Sequence, residues 1–114
     1  MSSAYNHVTL IGTLKDDPET KKIGKQTKTA FTIGCERYAG QNKPYEVDFF
    51  NIVLWGKLAE IAGEFLKKDK KILVDGRLQV RHYGDSGENR RWITEVIGEN
   101  LKFLSNPVKA EAQV

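Results

Sequence analysis

Phe49-Phe50-Asn51-Ile52-Val53-Leu54-Trp55-Gly56-Lys57-Leu58-Ala59-Glu60-Ile61-Ala62-Gly63-Glu64-Phe65-Leu66-Lys67 changes its period part-way along. Up to Gly56 the side chains alternate, with Phe50, Ile52 and Leu54 on one face and Phe49, Asn51, Val53 and Trp55 on the other. This predicts a strand from Glu46 to Gly56. Beyond it Leu58, Ile61, Ala62 and Phe65 follow the i, i+3, i+4, i+7 spacing of an amphipathic helix of about three turns. Lys67 and Lys68 suit the C-terminal end of its dipole.

On the N-terminal side, His7 to Leu14 reads as a strand with Val8, Leu10 and Leu14 on one face. Lys15-Asp16-Asp17-Pro18-Glu19 then breaks it, because proline and two aspartates favour a turn. Thr27 to Arg37 is a second strand with Phe31, Ile33 and Cys35 in line, and Ala39 to Pro44 is a polar loop. After the helix come a strand from Ile72 to Tyr83, a turn over Gly84 to Asn89, and a last strand from Arg91 to Leu104. Three strands, one helix and two strands describe an all-β chain with one helix. This is the order of an OB-fold, a five-stranded Greek-key barrel with its helix between strands 3 and 4. A small α+β sheet with a helix packed on its face is the rival. Residues 1–104 make up the domain, and 105–114 form a short polar remnant expected to be disordered.

A chain of 114 residues suits one domain, and 39% hydrophobic with 29% charged residues is a globular balance. A single cysteine excludes an internal disulfide and a multi-cysteine metal site. No apolar run reaches the ~18 residues of a membrane span, and the start lacks a signal-peptide pattern, so the expected location is cytoplasmic. The formal charge of +3, from 18 basic and 15 acidic residues, permits a nucleic-acid partner without demanding one.

Catalysis finds no support. His7 and His82 sit in strand-like runs without a nucleophile or metal-ligand spacing beside them. Cys35 reads as a small core residue, and Asp16-Asp17-Pro18-Glu19 as a solvated turn. Gly56-Lys57 lacks the upstream glycine of a phosphate loop. No metal, cofactor or enzymatic activity is expected.

The aromatics carry more information. Phe49 and Trp55 are left facing outward across roughly 20 Å of strand, where exposed rings mark binding surfaces. On the next strand Leu73, Asp75, Arg77, Gln79, Arg81 and Tyr83 form a polar face opposite Ile72, Val74, Gly76, Leu78 and Val80. Arg37 and Tyr38 add a basic and an aromatic residue. Rings that stack on bases, interleaved with cations that follow phosphates, are what single-stranded nucleic acid requires.

Asn6-His7-Val8-Thr9-Leu10-Ile11-Gly12-Thr13-Leu14 with Asp17-Pro18-Glu19, Val53-Leu54-Trp55-Gly56-Lys57-Leu58-Ala59-Glu60, and Asp75-Gly76-Arg77-Leu78 with Arg81, Tyr83 and Thr94-Glu95-Val96 together resemble the bacterial single-stranded DNA-binding protein family. The resemblance covers about residues 5–104. It implies base stacking on Tyr38, Phe49, Trp55 and Tyr83, and backbone contacts from Lys57, Lys68 and Arg81, with Arg37 and Arg77 as further basic candidates. Three of the four rings differ in identity from the tryptophans familiar in the family, and Trp55 stands where a phenylalanine is familiar. His82 and Thr13 stand where a lysine and an arginine are expected.

The resemblance further implies protection of single-stranded DNA, largely regardless of sequence, during replication, recombination and repair. It also implies nucleoid association and a homotetramer in which first strands pair and Phe50 lies near subunit contacts. Family members commonly carry an acidic C-terminal tip that recruits replication and repair proteins. This sequence ends at Gln113-Val114 without one, so that recruitment has no support in it. A primosome-type interaction module and a single-stranded RNA binder are the alternatives.

Overall fold

The computed structural model describes residues 4–42, 45–84 and 91–104, with the side chain of Tyr83 outside the described set. Its elements are β1 (Val8–Leu14), β2 (Glu19–Ile23), β3 (Gln26–Tyr38), β4 (Tyr45–Trp55), α1 (Lys57–Phe65), β5 (Lys71–Tyr83) and β6 (Arg91–Phe103). The expected turn over 85–89, the end of the 39–44 loop and the 105–114 remnant lie outside the described residues.

The strands lie in the order β1-β5-β6-β4-β3-β2, and a β1–β3 pairing at Thr13↔Gly34 and Leu14↔Ile33 closes the sheet. β4 and β6 run parallel through Ile52↔Val96 and Val53↔Ile97, whereas the other pairs are antiparallel. The result is a closed barrel of β1, β3, β4, β5 and β6, with α1 between its third and fourth strands. This is the OB architecture. Closure demands a close approach of two backbones: a Cβ on Gly12 would stand 2.7 Å from the Gly34 carbonyl oxygen.

The interior collects Leu14, Phe31, Ile33, Ile52, Leu54, Ile72, Val74 and Val96, nearly all fully buried. Burial of each large side chain contributes roughly 1.5–3 kcal/mol. Phe50 and Cys35 are half-buried against this cluster.

Four sequence readings change. β2 was not expected. It pairs with β3 from Glu19↔Ala30 to Ile23↔Gln26, as an appended hairpin beside the five-stranded barrel. The helix is shorter than expected and rotated by about one residue: Leu66 is its C-cap, so Lys67 and Lys68 lie beyond its last turn. Ala59, Ala62 and Leu66 are buried, while Phe65 is 55% exposed beside Phe103. The two alanines let the helix come close enough for the buried Thr29 hydroxyl to donate to the Ala59 carbonyl at 2.7 Å.

The third change is at Val53, which shares the outward parity of Phe49 and Trp55 yet is 4% exposed because β3 and β6 flank it. The fourth concerns Leu78 and Val80, on the apolar face of β5 but 43% and 50% exposed, respectively. There the β5–β6 ribbon has run past the barrel that would cover them.

Candidate nucleic-acid interface

Strand pairing turns the outward parity of β4 into a surface. Opposite one another on β3 and β4 stand Lys28 and Trp55, Ala30 and Val53, Thr32 and Asn51, Gly34 and Phe49, and Tyr38 and Tyr45. Tyr38, Tyr45 and Phe49 are each more than half exposed, and Trp55 is 37% exposed. Tyr38 and Tyr45 meet edge to face, with ring centroids 6.3 Å apart. Four aromatic rings thus occupy one side of a two-strand ribbon.

Two lysines cap two of these rings. The Lys15 ammonium lies 5.0 Å from the centroid of Phe49, and that of Lys28 lies 5.7 Å from Trp55. Both are within cation–π range. Gly56, at φ 70°, turns the chain sharply from Trp55 into α1, a backbone conformation that glycine adopts freely. The Gly56 amide donates to the Thr27 carbonyl at 2.8 Å and anchors that corner. Around the closure of the barrel a cleft of about 600 Å³ runs from Phe49 past Gly34 and Thr13 to Lys15 and Lys71.

The arginines are arranged differently. Arg37 follows the parity opposite to Tyr38 and is held by Asp48 (Nε to Oδ2, 2.7 Å) and Glu46 (Nη2 to Oε1, 3.0 Å). The hydrogen bond and charge of Asp48, then Glu46, raise its pKa further above the usual value. Arg81 forms a two-pronged pair with the largely buried Glu95, at 3.2 and 3.1 Å. Arg77 bonds the Gln79 side chain at 3.0 Å and lies 3.7 Å from Glu99. Arg77 and Arg81 share a face on β5, with β6 between them and β4.

The Single-strand binding protein family model matches residues 5–104. The chain belongs to this family. It is 41% identical over 101 residues to the Single-stranded DNA-binding protein of Caldanaerobacter subterraneus subsp. tengcongensis, covering 87% of this chain and 67% of that one. Identity to Single-stranded DNA-binding protein 1 of Clostridium acetobutylicum is 39% over 108 residues, covering 92% and 98% of the two chains. The solved structure described as Plasmodium falciparum SSB complex with ssDNA superposes with a TM-score of 0.82. It is 21% identical and covers 92% of this chain and 99% of that one, a likeness of fold.

Of the residues the sequence singled out, Tyr38, Phe49 and Trp55 come together on one face of this family member. Arg77 and Arg81 lie on the same sheet, two strands from β4, each already beside a carboxylate. Lys57 opens α1 next to the Trp55 corner and is exposed. Lys68 is exposed in the α1–β5 connection, where its amide donates to Asp17 at 2.8 Å. Tyr83 pairs through its backbone with Arg91; its side chain lies outside the described residues. Trp92 is opposite His82, on the other face of the ribbon from Arg81.

Sequence reasoning missed Lys15, Lys28 and Tyr45. Lys28 was within reach, because Thr27, Thr29 and Phe31 face inward and put it outward. Its position opposite Trp55 is a matter of register, which no local pattern carries. Among the described residues no group of three or more His, Cys, Asp or Glu side chains could hold a metal ion, and no helix is long and apolar enough to cross a membrane.

Proposed function

We propose that the outer face of β3 and β4 binds single-stranded DNA, with bases stacked on Tyr38, Phe49 and Trp55 and phosphates held by lysines beside them. The observation that carries this reading is the exposure of these rings on one face, two of them under lysine ammonium groups. Stacking on rings accepts any base, so the face binds largely without regard to sequence. Membership of the family supports the same conclusion, as do relatives named for single-stranded DNA binding. The chain acts as a binder rather than an enzyme. It coats exposed strands during replication, recombination and repair, in the cytoplasm at the nucleoid.

A homo-oligomer, in the family's manner a tetramer, completes this reading. β1 pairs with β5 from Val8 to Thr13 but meets β3 only at Thr13 and Leu14, so its other edge is open over Val8–Ile11 among the described residues. An open edge beside the half-exposed Ile11 is a template for a second copy. Light scattering tests this, and a monomer of about 12.9 kDa would contradict it.

Competition among matched single-stranded DNA, single-stranded RNA and duplex DNA tests the main claim. Preference for the DNA single strand over duplex by well over tenfold is expected. Equal binding of duplex would overturn the claim, and preference for RNA would reassign the substrate.

A further inference from the structure

We propose that Lys21, Lys28 and Trp55, in a row across β2, β3 and β4, hold one nucleotide between them: the base stacks on Trp55 and its phosphate bridges the two lysines. This deepens the single-strand reading of the β3–β4 face and rests on it.

Three observations lead here. Lys21 and Lys28 are directly paired across the β2–β3 ladder, so their side chains leave the same face side by side. Like charges in that position destabilise a sheet, and a bound anion removes the penalty. Second, neither lysine has a carboxylate within ion-pair distance among the described residues, whereas Arg77 and Arg81 each have one and Arg37 has two. The acidic groups around the row are Glu19, on the same face of β2, and Glu60 and Glu64, which line the cleft between β2 and α1 with both Lys21 and Lys22. A phosphate arriving at the arginines must displace a carboxylate; one arriving at this row displaces none. Third, Lys28 is opposite Trp55, with its ammonium over the ring. A base approaching that ring meets the ammonium first. As the base stacks, Lys28 swings from ring to phosphate, exchanging a cation–π contact for a charge-assisted hydrogen bond.

The neighbouring Lys22 is the internal control, since alternation turns it toward the opposite face of β2, the side of Thr20, whose hydroxyl meets that of Thr29 beneath the helix. Affinity for a dT oligonucleotide is measured against salt for wild type and for Lys21→Gln, Lys28→Gln, the double variant and Lys22→Gln. Each lost phosphate contact on a single strand lowers the log K against log salt slope by about 0.7, or roughly fivefold in affinity at 0.1 M salt. The expected result is one such loss for each single variant, about twice that for the double, and none for Lys22→Gln. Thermal midpoints of the Lys21 and Lys28 variants should equal or exceed wild type, because a like-charge pair has gone. In proton NMR the ε-methylene of Lys28, shielded by the Trp55 ring in the free protein, should lose that shift when DNA binds.

An unchanged slope in the double variant would overturn the proposal while leaving single-strand binding intact. So would a Lys28→Gln variant that binds more tightly, since Lys28 would then only obstruct the ring. A wild-type protein that fails to bind dT at all would instead remove the reading on which the proposal rests.

Discussion

The ring of Phe49 lies across Gly34, its partner on β3, so that a Cβ at Gly34 would stand 3.1 Å from Cε1 of the ring. The missing side chain on one strand leaves room for an aromatic on the next to spread over the sheet, with Lys15 above it. A stacking platform therefore depends on two strands.

Gly34→Ala should tilt that ring and disturb Val47, whose Cγ1 would be 2.9 Å from the new methyl. Affinity for single-stranded DNA is expected to fall about tenfold, within the 1–3 kcal/mol that one stacked base contributes. Circular dichroism should report an intact fold. Wild-type affinity in this variant would show that the ring's orientation does not matter.

Arg81 is where the structure changes an expectation most. The sequence suggested a phosphate contact, but the guanidinium is already paired with Glu95, which is only 9% exposed. Arg81→Ala takes two hydrogen bonds from a nearly buried carboxylate. Urea unfolding should show a loss of about 1–3 kcal/mol. The salt slope should change by less than the ~0.7 of a full phosphate contact, and Glu95→Gln should steepen it. Full stability with a slope loss of ~0.7 in Arg81→Ala would restore the simpler assignment.

The strand-to-helix switch at Gly56 was legible because it lies in one continuous stretch and needs only two periods. So was the outward placement of Phe49 and Trp55. β2 was not legible, because every residue from Glu19 to Ile23 is exposed and the strand has no buried face to leave a pattern. It exists through its ladder with β3. Parity put Leu78 and Val80 on the same face of β5 as Ile72 and Val74, but parity says nothing of where the barrel ends. The fates of Arg37, Arg81 and Lys28 depend on neighbours 9 to 27 residues away along the chain, and only register brings those together.

Cys35 gives a pH dependence. Burial first, then the negative charge of Asp48, raise its thiol above the ordinary value of 9.0. The folded state thus holds this proton more tightly than the unfolded state. The stabilisation is fully present below about pH 9 and is lost as pH rises through the folded value. Urea midpoints of wild type should therefore fall more steeply than those of Cys35→Ser between about pH 8 and 11. Parallel curves would contradict the assignment.

Trp55→Ala should cost roughly 1–3 kcal/mol of binding at nearly the wild-type salt dependence, because it removes a ring and leaves the phosphate contacts. Isothermal titration at two salt concentrations separates the two effects. A large change in slope would mean that Trp55 organises the lysines rather than a base.

The chain has two tryptophans, Trp55 on the face assigned to DNA and Trp92 on the opposite face of the β5–β6 ribbon. Emission during titration with a dT oligonucleotide tests that assignment most directly. Trp92→Phe, with Trp55 as the sole tryptophan, should be quenched as the wild type is. Trp55→Phe should lose most of the quenching and keep much of the affinity, since a ring remains. Quenching that survives in Trp55→Phe and disappears in Trp92→Phe would contradict the account and move the strand to the other face of the ribbon.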